Sequence, residues 1–102
     1  MGTDFRVESI TNPDLLERQI EASRPDVILL DIALGRENGL EVCRKLKADE
    51  RFKMIPLLLL SGQTDAQTQE AGFNAGADDF VLKPFVPTEL LARIRQRLAR
   101  QQ

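Results

Sequence analysis

Three polar side chains, Asp31, Ser61 and Lys83, each follow directly on a short apolar run. A carboxylate can act as a nucleophile, a hydroxyl can hydrogen-bond a phosphoryl oxygen, and an ammonium group can neutralise negative charge. Taken singly each has an ordinary explanation, since serine before glycine is common in turns and an acid at a strand end often caps a loop. Their joint occurrence after successive apolar runs favours one shared site for phosphoryl chemistry.

The apolar runs predict buried strands over Val27–Leu30, Ile55–Leu60 and Phe80–Leu82, with a half-polar edge strand over Phe5–Ile10. The first three are continuous rather than alternating, which is typical of strands covered on both faces of a parallel sheet. Ligands of open parallel sheets bind beyond the carboxyl ends of the strands. We therefore expect the three polar side chains to meet at one edge of the sheet.

Helical patterns alternate with these strands, over residues 11–23, 38–50, 64–77 and 86–102. The first has Thr11 or Asn12 as a cap, the second carries Cys43 on its apolar stripe, and the third ends on Gly76. The order β-α-β-α-β-α-β-α predicts an open, doubly wound α/β sheet with right-handed crossovers. A length of 102 residues predicts a single domain over 1–102.

Composition excludes several classes of function. The chain has no histidine, which removes Ser-His-Asp and Cys-His catalysis and the usual zinc sites. Its single cysteine, Cys43, excludes a disulfide scaffold and predicts a reducing, cytoplasmic location. With a net charge of −2 and no apolar run long enough to cross a bilayer, we expect neither direct nucleic-acid binding nor a membrane. The basic last helix is expected to be a solvated face with ion pairs to neighbouring acids; its arginines are Arg93, Arg95, Arg97 and Arg100.

Three stretches resemble the receiver domains of two-component response regulators: "RPDVILLDIALGRENGLEVCRKLK", "IPLLLLSGQT" and "AGADDFVLKPF". They are similar to that family's third strand with the following loop and helix, its fourth strand, and its fifth strand. Ser61 follows Asp31 by thirty positions and Lys83 follows Ser61 by twenty-two, as in the family. The resemblance covers nearly the whole chain and implies a flavodoxin-like receiver topology.

The resemblance implies a role for each site residue. Asp31 would be the phosphoacceptor, taking a phosphoryl group from the phosphohistidine of a histidine kinase or phosphotransfer protein. Ser61 and Lys83 would bind phosphoryl oxygens, Phe80 would be the aromatic switch, and the backbone carbonyl of Ala33 would be a ligand to Mg²⁺ together with Asp31. The protein would then be a regulatory phosphoacceptor rather than an enzyme, with phosphotransfer and autodephosphorylation as its only chemistry. The resemblance further implies a cis peptide before Pro84.

The family's first strand, which ends in the acidic pair that holds the magnesium ion, has no counterpart in the sequence. The segment Phe5–Ile10 and the helix after it match the second strand and second helix, which predicts an N-terminally truncated receiver of about four strands and four helices. In an alternative pairing, this strand occupies the vacant central position and brings Thr11, Asn12 and Asp14 near Asp31. Either way the acidic pair is missing.

Asp78 and Asp79 do not replace that pair, because they precede the predicted strand Phe80–Leu82 and are expected to be solvated loop acids. Without the pair, Mg²⁺ binding is expected to be weak and phosphorylation slow. Uncovered sheet edges predict self-association, either as a homo-oligomer or as a strand-exchanged dimer.

Two other functions fit parts of the pattern. A phosphorylation-incompetent pseudo-receiver, acting as an interaction or dimerisation module, is favoured by the missing acids and opposed by the retained Asp31, Ser61 and Lys83. An aspartate-nucleophile phosphatase also combines these residue types. Such enzymes place a second acid two residues after the nucleophile, where this chain has Ala33.

Overall fold

Four parallel strands form one sheet, and helices lie on both of its faces. The computed structural model of the chain describes residues 6–10, 16–34, 37–62 and 66–100. In these ranges the strands are β1 (Val7–Ile10), β2 (Val27–Asp31), β3 (Ala33–Leu34), β4 (Glu37–Asn38), β5 (Leu57–Ser61) and β6 (Asp79–Leu82). The helices are α1 (Leu16–Ser23), α2 (Gly39–Ala48), α3 (Ala66–Asn74) and α4 (Pro87–Arg100). The order of the main sheet is β1-β2-β5-β6. β3 and β4, of two residues each, form a separate antiparallel hairpin.

The open parallel α/β sheet predicted from the apolar runs is confirmed. The runs predicted as buried strands are β2, β5 and β6, and the side chains of the two central strands are almost wholly buried. β5 begins at Leu57, two residues later than predicted. Pro56 has no N–H to donate, and it joins the sheet only through its carbonyl, which accepts from Ile28 N–H at 2.9 Å.

The edge strand β1 lies directly beside β2, with Val7 opposite Val27 and Ile10 opposite Leu30. The second-strand position predicted for Phe5–Ile10, with a strand missing between it and β2, is therefore wrong, and the alternative pairing is the one observed. A gap would leave the N–H and C=O groups along β2 without partners. Direct pairing satisfies them, as when Val27 N–H donates to the Arg6 carbonyl at 3.2 Å.

Each face of the sheet has its own core. Three helices cover one face, where α1 contributes Ile20, α2 contributes Val42, Cys43 and Leu46, and the segment after α3 contributes Ala75 and Ala77. α4 covers the other face, burying Ile94 against Val27, Leu29, Leu58 and Val81. The prediction that the third helix ends at Gly76 is consistent with α3 ending at Asn74, since Gly76 has a φ of +100° that other residues rarely adopt.

Asp79 is buried rather than solvated, and the expectation of a loop acid is wrong. It is the first residue of β6, is only 9% exposed, and accepts from Arg93 Nη1 at 3.1 Å. Arg97 Nε lies 3.9 Å from its other oxygen. The two arginines of α4 thus compensate a carboxylate that burial would otherwise penalise.

Asp78 also has a structural role that the expectation of a solvated acid misses. Its Oδ2 accepts from Lys47 Nζ at 2.9 Å and from Leu57 N–H at 2.8 Å. The carboxylate therefore fastens the end of α2 to the start of β5. Both contacts lie at the amino ends of the strands, away from Asp31.

Arg51 ties α1 to the segment after α2. Its guanidinium group forms ion pairs with Glu17 at 2.6 Å, Glu21 at 2.9 Å and Asp49 at 2.8 Å. It also lies over the Phe52 ring, 4.6 Å from the centroid. The side-chain hydrogen bond from Arg51 lowers the pKa of Asp49 below its usual value.

Burial raises the pKa of the Cys43 thiol from 9.0 to about 11, with nearby Lys47 partly opposing the shift. The side chain is fully buried and its Sγ lies 3.6 Å from the Ala75 carbonyl, to which it donates. Because the thiol of the unfolded chain ionises first, unfolding releases a proton between these two pH values. The Cys43 contribution to stability is complete below pH 9 and is lost as the pH rises towards 11.

We expect the free energy of unfolding to fall between pH 9 and pH 11 by about 2–3 kcal/mol more in the wild type than in Cys43→Ala. Urea unfolding at a series of pH values measures this difference. The alanine variant loses packing at every pH. The test is therefore how the difference in unfolding free energy between wild type and variant changes with pH. Parallel profiles would contradict the assignment.

Candidate functional site

The carboxyl ends of three neighbouring strands bring Asp31, Ser61 and Lys83 to one edge of the sheet, as predicted. Asp31 ends β2 and is opposite Leu60 of β5, Ser61 ends β5 and is opposite Leu82 of β6, and Lys83 directly follows β6. Lys83 N–H also donates to the Ser61 carbonyl at 2.7 Å. The sheet register therefore determines the backbone position of each of the three residues.

The Asp31 carboxylate is held at both oxygens. Lys83 Nζ donates to Oδ2 in an ion pair, and Ala33 N–H donates to Oδ1 at 2.9 Å. About a third of the aspartate side chain and two fifths of the lysine side chain remain exposed, at 32% and 39%. The carboxylate is thus oriented by the protein and still reachable from solvent, which suits a nucleophile for an incoming electrophile.

Ser61 and Phe80, unlike this partly exposed pair, are buried. Ser61 is only 3% exposed, and Phe80 is buried in the core on the α1–α3 side of the sheet. The Phe80 ring contacts that of Phe73, with centroids 6.5 Å apart and planes tilted by 42°. A Cβ added at Gly72 would lie 2.9 Å from the Phe80 ring, so this glycine makes room for the aromatic side chain. The peptide between Lys83 and Pro84 is cis, as predicted.

The β3–β4 hairpin directly after Asp31 has no counterpart among the predicted elements. Gly39 N–H closes it by donating to the Ile32 carbonyl at 2.8 Å, and the Asn38 side chain caps α2 by accepting from Leu40 N–H at 2.8 Å. The sequence does carry a signal for this cap, because asparagine before a helical pattern is a favoured N-cap. The Ala33 N–H donor to Asp31 depends on backbone orientation and has no sequence signal.

Gly39 lies close against the backbone of Asp31 and Ile32. A Cβ built on Gly39 would lie 2.4 Å from the Asp31 carbonyl oxygen and 2.6 Å from Ile32 Cα. Neither atom belongs to a flexible side chain, so any larger residue must displace the chain that carries the carboxylate. The glycine is needed for this close approach.

We expect Gly39→Ala to destabilise the fold by about 1–3 kcal/mol, since it overpacks backbone against backbone. Urea unfolding measures the loss. Gly62→Ala is the matched control at the same edge of the sheet, because a Cβ there meets nothing within 4 Å. Equal stability of the two variants would show that the hairpin yields without cost.

The described residues do not form a Mg²⁺ site of the expected kind. No three His, Cys, Asp or Glu side chains among them gather at one point, and Lys83 already occupies one oxygen of Asp31. Mg²⁺ requires near-octahedral oxygen coordination, which Asp31 and the Ala33 carbonyl could supply only in small part. Thr11, Asn12 and Asp14, named in the alternative pairing, lie outside the described residues.

Comparison with known proteins agrees with this geometry. A family model described as the response regulator receiver domain matches residues 2–95. The chain belongs to this family. The resemblance seen in the three motifs is therefore confirmed, and the protein is a receiver domain of two-component signalling.

The curated relatives are longer proteins. The DNA-binding response regulator MtrA of Mycolicibacterium smegmatis is 47% identical over 79 residues, which are 78% of this chain and 33% of that protein. Protein RcaC of Microchaete diplosiphon is 36% identical over 96 residues, 94% of this chain and 15% of that protein. The chain thus spans about a third of the length of MtrA and a smaller share of RcaC.

Solved structures show the same fold. A response regulator from Chloroflexus aurantiacus has a TM-score of 0.80 and 33% identity, covering 88% of this receiver and 74% of that chain. The receiver domain of the sensor histidine kinase PA1611 from Pseudomonas aeruginosa was solved with a magnesium ion in its active site cleft. It has a TM-score of 0.75 and 26% identity, covering 88% of this receiver and 74% of that chain. In the part of this receiver that the structure describes, no helix is long and apolar enough to span a membrane.

Proposed function

We propose that Asp31 is the phosphoacceptor of this receiver and that Ser61 and Lys83 bind the oxygens of the transferred phosphoryl group. The observation that carries the proposal is the Lys83–Asp31 ion pair beside Ser61, at the carboxyl ends of three adjacent strands. An acid, a cation and a hydroxyl at this edge are the groups that phosphoryl transfer requires for attack and charge neutralisation.

The reaction would be a transfer between two proteins. One Asp31 oxygen forms a bond to phosphorus while the bond from phosphorus to the donor's histidine nitrogen breaks, and the imidazole keeps that electron pair. Lys83 then exchanges its carboxylate partner for a phosphoryl oxygen, and Ser61 donates to another. The donor of this reaction would be a histidine kinase or a phosphotransfer protein.

Transfer in this chain is proposed to be slow, because the described residues supply the cation but not the acidic pair that holds Mg²⁺ in the family. Removing one preorganised electrostatic group from an active site commonly costs a factor of about 10²–10³ in rate. The ion pair of Asp31 with Lys83 has to be rearranged before the metal or the phosphoryl group can bind.

Incubation with phosphoramidate and Mg²⁺, followed by intact-mass analysis, tests the acceptor. We expect one labile phosphoryl group, added about 100-fold more slowly than to a receiver with a complete acidic pair assayed in parallel. Asp31→Asn should abolish labelling, while Asp49→Asn, which changes a partly buried acid at the other end of α2, should label like the wild type. Labelling that persists in Asp31→Asn would refute the assignment, and rapid complete labelling would refute the slow rate.

A phosphorylation-incompetent pseudo-receiver is the second candidate, and the lack of an acidic cluster among the described residues favours it. The two functions differ in their response to magnesium. If the chain is a pseudo-receiver, titration with Mg²⁺ should leave its thermal stability unchanged, and no labelling should appear at any Mg²⁺ concentration. A phosphoacceptor should show a labelling rate that rises with the metal concentration.

We further propose that the partners of this receiver are proteins rather than nucleic acid, that copies of the chain self-associate, and that it works in the cytoplasm. The DNA-binding named for MtrA belongs to a protein of which this chain matches one third. The buried, unpaired thiol of Cys43 suits a reducing compartment.

A further inference from the structure

Among the residues that the structure describes, no strand pairs with the outer edge of β1. The Arg6 carbonyl accepts from Val27 N–H, so alternation along a parallel strand points the N–H and C=O groups of Val7 and Ser9 away from β2. Gln19 Nε2 donates to the Ser9 carbonyl at 3.3 Å, which covers one end of this edge. At Val7 no other described residue covers the edge, so this end can serve as a template for another strand.

The side chains at this end are self-complementary. Val7 is 41% exposed on the α4 side of the sheet. Arg6 and Glu8 lie on the opposite side, next to α1, where Arg6 Nη1 donates to the Ser23 carbonyl and Glu8 accepts from Gln19. A basic and an acidic residue thus flank one apolar residue on an edge that no described strand covers.

We propose that this edge is a self-recognition surface, at which a second copy of the chain adds its β1 antiparallel, with Val7 opposite Val7 of the partner subunit. The two-fold axis is then perpendicular to the sheet, so the α1 faces of both copies remain on the same side. Arg6 lies opposite Glu8 of the partner subunit and Glu8 opposite Arg6 of the partner subunit. The two four-stranded sheets become one sheet of eight strands.

Charge selects this register over its neighbour. If the axis passed through Glu8, two carboxylates would face each other, and like charges directly opposite in a sheet are unfavourable. If it passed through Ser9, Glu8 would face Ile10 of the partner subunit, which leaves the carboxylate opposite an apolar side chain. The Val7 register instead gives two opposite-charge pairs and one apolar pair. This interface does not depend on phosphorylation of Asp31.

Disulfide trapping of the full 102-residue chain tests the register. Opposed residues of an antiparallel hydrogen-bonded pair have Cα atoms about 5.5 Å apart, within disulfide reach. Val7→Cys should therefore form a covalent dimer in a glutathione redox buffer. In this register the Ser9 residues of the two copies lie about 13 Å apart, too far for a disulfide.

Ser9→Cys is thus the matched control on the same edge, and Met54→Cys, at a residue that is 71% exposed, reports random collision. We expect Val7→Cys to cross-link at least about tenfold faster than either. The native Cys43 is buried and should leave the wild type unlinked. Equal rates, or faster linking through Ser9→Cys, would overturn the proposal.

Charge reversal tests the pairing without any cysteine. By sedimentation, R6E and E8R should each weaken self-association about tenfold, because each turns both opposite-charge pairs into like-charge pairs. An equimolar mixture of R6E and E8R should recover association, since the pairs across that interface are again of opposite charge. Thermal unfolding of each variant confirms that it folds. A monomeric wild type at all concentrations, or a mixture no better than the single variants, would refute the interface.

Discussion

The parallel pairing of β2 with β5 is the constraint on which the rest of the molecule depends. Both strands are buried on their two faces, so their side chains must alternate between two separate cores. A shift of one residue would exchange the two sets and carry Asp31 with them. The burial of leucine, isoleucine and valine side chains therefore determines the position of a carboxylate at the sheet edge. The position of Ser61 follows from the same register, and that of Lys83 from the next strand.

At that edge the described residues supply donors to the Asp31 carboxylate but few acceptors for a metal cation. Lys83 and the Ala33 N–H together satisfy the Asp31 carboxylate, whereas no cluster of acids among the described residues is available to a divalent cation. The resting ion pair is a stable arrangement of one acid with one base. Any phosphoryl group or metal ion has to compete with it, and the partial exposure of both side chains keeps that competition modest in cost.

The sequence was sufficient to predict the sheet, its strand ends and the meeting of three distant residues, because continuous apolar runs and a parallel order leave few arrangements. The position of β1 was predicted wrongly, because a half-polar run indicates a strand but not the strand with which it pairs. β1 pairs with β2 because the backbone groups of β2 would otherwise lack partners. The prediction for Asp79 was also wrong, since its burial is tolerable only because two arginines from α4 lie beside it. The hairpin after Asp31 escaped prediction because its elements are two residues long.

α4 performs two tasks at once, and they are inseparable. It covers the apolar residues of one face of the sheet, and it brings Arg93 and Arg97 to the buried Asp79. Detaching the helix would expose the first group to water and strip the second of its counter-charges in the same event. Fraying by small steps is thereby discouraged, so sheet and helix behave as one cooperative unit. A mechanical pull on this helix would reach the strand that leads to Lys83 through the contacts of Arg93 and Arg97 with Asp79.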